Sequence, residues 1–204
     1  MPLGMGLGLT QQRGGVSIPI PDAPSNLSTV NVTVNDFGLS WDAVTYATSY
    51  HVDISESEDF SSFITGFEDK TVNITSVGIS ELSEYTTYYC RVRAVNDSGT
   101  SGNSDTLTQT TLLDHFIALP ATNIDADSFY MNWLEPDGLA TNYTISVNTQ
   151  IDFSGDAILD VEIGYGFKSY DVTGLLPDTD YFYRVGFAGG YDWSNIITVH
   201  TLPE

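Results

Sequence analysis

Leu82–Asn96, LSEYTTYYCRVRAVN, returns 93 residues further on as Leu175–Ala188, LLPDTDYFYRVGFA, and this duplication constrains the chain more than any other feature. In both copies a Leu is followed by Thr four residues on, by Tyr at six and by Arg-Val at nine and ten. From the Tyr onward every second residue is apolar: Tyr88, Cys90, Val92 and Ala94 in one copy, Tyr181, Tyr183, Val185 and Phe187 in the other. Side chains alternate between the faces of a strand, so each copy reads as a strand with one buried face. The turn before it is polar and carries Pro177-Asp178 in the second copy.

The rest of the chain falls into place around the two copies. Trp41 and Trp133 are 92 residues apart, Tyr50/Tyr143 and Phe60/Phe153 are 93 apart, and Thr111/Thr201 are 90 apart. Length changes confined to loops are the mark of a duplicated unit. The segments predicted are an extended N-terminal arm (1–22), a first domain (23–111), a linker (112–119) and a second domain (120–204). Within the first domain, Leu27 and Val30 give a short strand, then Phe37, Leu39 and Trp41 a second and Tyr50, Val52 and Ile54 a third. Val72, Ile74 and Val77 read as one further strand, and Asn96–Ser104 reads as a loop by composition. Leu113, Phe116 and Ile117 make the linker too apolar for a purely flexible tether.

A Leu, a polar turn and a strand opening on Tyr match a tyrosine corner, with Tyr88 and Tyr181 as the inward phenols whose hydroxyls bond nearby backbone. Together with the Pro24–Leu27 entry, the paired Trp and Tyr residues and the closing Thr111 and Thr201, this resembles the fibronectin type III family in each half. The resemblance implies an all-β protein: two tandem seven-stranded immunoglobulin-like sandwiches without an inter-sheet disulfide. It also implies a spacer or binding scaffold rather than an enzyme. Glu84 stands where the corner usually has Pro, and Cys90 where an aromatic is common.

Six Lys and Arg stand against 27 Asp and Glu, a formal charge of −21. Such a surface repels phosphate, so nucleic acid is excluded as a partner bound by counterion release. No apolar run approaches the roughly 20 residues that span a bilayer, so no membrane insertion is expected. Cys90 is the sole cysteine and has inward parity, which makes it a buried thiol. His51, His115 and His200 lie far apart in sequence, without the spacing of a zinc or nucleophile site, and Asp125-Ala-Asp127 is too short to spell out a calcium loop. No cofactor, metal or catalytic residue is expected. Five Asn-x-Ser/Thr triplets, at Asn26, Asn31, Asn73, Asn96 and Asn142, are common in a chain rich in these residues and carry little weight without an export signal.

Two stretches are candidates for contact. Gly189–Ser194 sets Tyr191, Asp192 and Trp193 on a Gly-supported loop after the second corner strand, where large rings offer contact area at small entropy cost, the equal alternative being that Trp193 folds back over the end of the sandwich. Gly164-Tyr165-Gly166-Phe167 is a lesser patch. In the arm, Leu3, Met5, Leu7 and Leu9 alternate with glycines, so an extended conformation carries four apolar side chains on one face and lets another backbone approach the other. The start MPLGMGLGLTQQRGG makes a poor secretory signal. The arm and the compact domains after it resemble small virion proteins of tailed bacteriophages. That likeness implies anchoring to capsid or tail proteins through residues 1–22, with the domains projecting as decoration or a head fibre and host-surface glycans as a further partner. The alternative is a bacterial cell-surface adhesin or an accessory carbohydrate-binding module.

Overall fold

The protein is described by a computed structural model over residues 17–139, 141–189 and 192–204. The arm positions Leu3, Met5, Leu7 and Leu9 lie outside the described residues. Every regular element among those described is a β-strand, and no helix there is long and apolar enough to cross a membrane. The described chain divides into two compact units.

In the first sandwich, β1 (Ser28–Val30), β2 (Phe37–Ser40), β3 (Ser49–Ser55), β4 (Lys70–Val72), β5 (Ser76–Ile79), β6 (Thr87–Asn96), β7 (Gly99–Thr100) and β8 (Leu107–Thr110) follow in order. One sheet runs β1-β2-β5; the other runs β4-β3-β6-β7, with β8 also on β6. Val72, Ile74 and Val77 therefore do not make one strand. β4 belongs to one sheet and β5 to the other, and the chain crosses between them at Asn73–Thr75. The apolar positions shift from even, Val72 and Ile74, to odd, Val77 and Ile79, so the alternation breaks at the crossing and one strand cannot hold Val72, Ile74 and Val77 on one face. The expected loop at Asn96–Ser104 is also partly ordered: the Ser101 and Ser104 hydroxyls accept from the Ala94 and Val92 N–H groups at 2.8 and 3.0 Å. Serine side chains thus take ladder positions, and the seventh strand is split into β7 and β8.

The second sandwich has β9 (Ile117–Thr122), β10 (Ser128–Leu134), β11 (Tyr143–Asn148), β12 (Leu159–Ile163), β13 (Ser169–Thr173), β14 (Asp180–Phe187) and β15 (Ile197–His200). Its sheets run β13-β10-β9 and β12-β11-β14-β15, antiparallel throughout. β9 takes up the last three residues of the expected linker. Phe116 is fully buried in the core of this sandwich, beside Tyr143 and Phe187, while Leu113 is buried and its N–H donates to Asp137 Oδ2 at 2.7 Å. Most of the linker's apolar content is structural.

Both cores follow the period-two pattern. Phe37, Leu39, Trp41, Tyr50, Val52, Ile54, Tyr88, Cys90, Val92 and Ala94 are buried in the first, and their counterparts from Phe129 to Val185 in the second. The Trp41 ring meets Tyr50 edge-on at 5.3 Å, and Trp133 meets Tyr143 edge-on at 5.7 Å, a geometry that aromatic quadrupoles favour. The corner is duplicated in its hydrogen bonds as well. Thr111 Oγ1 donates to the Ser83 carbonyl and accepts from Thr86 N–H; Thr201 Oγ1 donates to the Leu176 carbonyl and accepts from Thr179 N–H. The closing Thr of each copy thus ties its last strand to the turn before the corner. In the second copy the Tyr181 hydroxyl accepts from Leu176 N–H at 2.8 Å, and Tyr88 of the first is equally buried.

Candidate functional site

The loop after β14 does not present Trp193 freely. Tyr191 lies outside the described residues, Asp192 is exposed with φ 53°, and Trp193 is half-buried. Arg184 points outward from β14, the face opposite Tyr183 and Val185, and its guanidinium lies 4.1 Å from the centroid of the Trp193 ring. Phe153, held at φ 56° in the turn after Asp152, covers the same guanidinium at 3.9 Å. The cation is stacked on two aromatic rings. Burial there lowers the Arg184 pKa, and Asp160 opposes that shift; the Nε is buried without a hydrogen-bond partner among the described residues. In the first copy Arg91 stacks at 4.0 Å on Phe60, which stands 93 residues before Phe153. Trp193 is thus an added cover on an arrangement that both copies share.

The first copy adds a feature that periodicity hides. Asp53 lies between the inward Val52 and Ile54, so its parity points outward, yet it is buried. Its Oδ2 accepts from Arg91 Nε and Arg93 Nη2, both at 2.9 Å, and its Oδ1 accepts from Asp69 N–H at 2.8 Å. Arg93 also pairs with Asp69, and His51 Nδ1 lies 3.5 Å from Asp69, so this histidine is half-buried beside an acid rather than simply solvated. These pairs join β3, β6 and Asp69 just before β4, residues far apart in sequence, and no local pattern announces them.

The loop between β12 and β13 has the opposite character to the Trp193 loop. Gly166 N–H donates to Glu135 Oε1 at 2.9 Å, the Phe167 carbonyl accepts from the Tyr143 hydroxyl, and the Lys168 carbonyl accepts from Trp133 N–H at 3.2 Å. Tyr143 is buried, and its phenol is pushed to a higher pKa mainly by burial and next by the Glu135 charge. Three consecutive residues are therefore tied to the body of the sandwich. Even so, Tyr165 and Phe167 are 60% and 61% exposed. The backbone is fixed and the rings face solvent.

Elsewhere, His200 is clamped between Asp180 Oδ1 at 2.7 Å and Asp178 Oδ1 at 3.2 Å, and these hydrogen bonds raise its pKa. Glu84, Asp114 and His115 bring ligand-type atoms within 4.8 Å of one another on an exposed surface, an acid–imidazole cluster that carries no further sign of a ligand. Two shallow clefts of about 250 and 220 Å³ lie in the first sandwich, one lined by Ser25–Leu27 and Asp105–Leu107, the other by Ile18, Tyr46, Thr48 and Asn96–Ser98. The approach to the first sandwich is tied down: Asn96 Nδ2 donates to the Pro19 carbonyl at 2.7 Å and Ser98 Oγ to the Ile18 carbonyl.

Two antiparallel sandwiches in tandem, each closed by the same corner, define the class of immunoglobulin-like β-modules. The family model for the fibronectin type III domain matches residues 22–110 and 118–200, and the chain belongs to that family. It is 30% identical over 181 residues to fibronectin type III domain-containing protein 1 of Margaritifera margaritifera, covering 81% of this chain and 22% of the relative. It is 29% identical over 162 residues to tenascin of Gallus gallus, covering 78% of this chain and 8% of the relative. The chain thus spans about a fifth of the first relative's length and under a tenth of the second's. Among solved structures, a two-domain fibronectin type III segment from chicken tenascin aligns with 88% of this chain and 100% of its own at 19% identity and a TM-score of 0.39. None of these proteins is named as a particle component, so the likeness to tailed-phage virion proteins gains nothing from them.

Proposed function

We propose that the chain is a non-catalytic binding and spacing module displayed at a cell surface or outside the cell, the adhesin or accessory-binding reading, in preference to a particle decoration. Membership of the family and resemblance to stretches of much longer proteins support a module that positions a contact surface. The observation that carries the reading is the Gly164–Lys168 loop, where an anchored backbone holds two aromatic rings in water. Rigid rings lose little entropy on binding and offer apolar faces for stacking against sugar rings. A net charge of −21 disfavours acidic glycans, so the partner proposed is a neutral glycan.

The test is the double variant Tyr165→Ala/Phe167→Ala, measured on arrays of neutral glycans and for adhesion to glycan-coated surfaces. Binding should drop at least tenfold while the melting temperature stays within about 2 °C, because both rings are mostly exposed. Full retention of binding would refute the site. Trp193→Ala should behave in the opposite way, lowering stability by about 1 kcal/mol through loss of the Arg184 stack and leaving glycan binding intact. Recovery of the chain in gradient-purified phage particles, with residues 1–22 retained, would reinstate the particle reading.

A further inference from the structure

The five Asn-x-Ser/Thr triplets differ in a way that sequence cannot show. Asn96 is 8% exposed; its amide is bonded to the Pro19 carbonyl and the Ser98 hydroxyl to that of Ile18. The Asn26 amide donates to Asp42 Oδ2 at 2.7 Å and the Asn142 amide to Glu162 Oε1 at 2.8 Å. Asn31 is exposed, but the Thr33 hydroxyl of its triplet is built into a turn, accepting from Asp36 N–H at 3.1 Å. At Asn73-Ile74-Thr75 neither the Asn amide nor the Thr hydroxyl has a hydrogen-bond partner among the described residues, and Asn73 is exposed at the crossing from β4 to β5.

A second observation meets the first at the same place. Ile74, the middle residue of the triplet, is 65% exposed. Its surroundings are not loose, because the Thr75 carbonyl accepts from Trp41 N–H at 3.1 Å, as the Lys168 carbonyl accepts from Trp133 N–H in the second copy. An apolar side chain held in water on a fixed bend has no packing role within its own sandwich.

We propose that Asn73 is an N-glycosylation site and that the first sugar residues attached there cover Ile74. The proposal rests on the reading that the chain is exported. The Asn73 Nδ2 attacks C1 of the reducing-end sugar of a lipid-diphosphate-linked oligosaccharide. The C–N bond forms as the C1–O bond to the diphosphate breaks; the lipid diphosphate leaves with the bonding electron pair, and the displaced amide proton passes to a base of the transferase. Asn96 stays bare in the folded protein, since its side chain is buried against the Pro19 carbonyl and leaves no room for a sugar on Nδ2. The two copies thereby differ at matching loops: the first carries a glycan over Ile74, and the second presents Tyr165 and Phe167 uncovered.

The experiment is secretion of the full chain from cultured animal cells behind a cleavable leader, then glycoamidase release in ¹⁸O-water and peptide mass spectrometry. Asn73 should carry the ¹⁸O-labelled aspartate in most secreted molecules and Asn96 in none, and Asn73→Gln should remove one glycan's mass. On hydrophobic-interaction chromatography Asn73→Gln should elute later than the glycosylated chain. Secreted, folded protein with Asn73 unmodified would overturn the site, and equal retention would overturn the covering of Ile74. A chain that is glycosylated here yet stays inside its native cells would instead defeat the export reading alone.

Discussion

A single residue whose environment contradicts its strand parity carries a large energetic consequence. Asp53 sits on the outward face of β3 yet is buried beneath Arg91 and Arg93, with its remaining oxygen on a backbone N–H. Removing one partner of such a group leaves guanidinium donors partly desolvated and unpaired, which costs about 3 kcal/mol. Asp53→Ala should lower the unfolding free energy by that order in a urea titration, whereas Asp69→Ala, at an exposed carboxylate, should cost well under half as much. Cys90 is the complementary case: parity and burial agree, and desolvation pushes its thiol up to about 12. It should be unreactive to a thiol reagent at pH 8 in the native protein and react only as the first sandwich opens, so rapid native-state labelling would contradict its burial.

At the scale of elements, the corner and its closing threonine determine how each sandwich ends. Tyr181 accepts a backbone hydrogen bond from Leu176, and Thr201 holds the same turn from β15's end. Tyr181→Phe keeps the ring and leaves the Leu176 N–H short of its partner, a loss of about 1–2 kcal/mol. For a domain of this size that should appear as a drop of about 4–8 °C per kcal/mol in the second sandwich's transition. The turn before each corner also needs a left-handed residue: Gly174 has φ 75°, and the matching Glu81 has φ 62°. An L side chain in that region costs roughly 1 kcal/mol. Glu81→Gly should therefore hold or raise the first sandwich's stability, while Gly174→Ala should lower that of the second, both read by thermal unfolding.

For the molecule as a whole, charge governs the response to conditions. With a formal charge of −21, self-repulsion opposes the folded state, and raising salt from low ionic strength should raise both transitions. pH enters through groups of opposite sign. His200, hydrogen-bonded to Asp180 and Asp178, has a folded pKa above its ordinary 6.5. Its contribution is complete below 6.5 and is lost as pH rises through the folded value. Asp59 and Asp152 are held below the ordinary 3.8 by hydrogen bonds from Ser61 and Ser154, so their contribution is present above 3.8 and is lost as pH falls through the lower folded values. His200→Gln should flatten the decline in melting temperature between mildly acidic and mildly alkaline pH, and an unchanged slope would show that the clamp does not act.

Repetition and period two were enough to show a duplicated β-unit and to place Tyr88, Tyr181, Trp41 and Trp133 on inward faces, because these follow from local alternation; the class of sandwich came from the resemblance to fibronectin type III domains that the paired motifs carry. The purpose of Thr111 and Thr201 was not legible, since each bonds a turn more than twenty residues earlier in the chain. Nor was the fate of Trp193: composition marks an aromatic loop, but whether its ring is offered to a partner or laid over Arg184 depends on what the facing strand places beneath it. The same holds for the exposed Tyr165 and Phe167, for the buried Asp53 and for the difference between Asn73 and Asn96. The chain's own alternation and repetition therefore determined two copies of a β-unit with inward and outward faces, and its paired motifs marked them as fibronectin type III domains. Which polar groups are buried and which rings remain in water was decided by tertiary structure, because exposure and hydrogen-bond partners depend on residues far apart in sequence that only the closed sheets bring together.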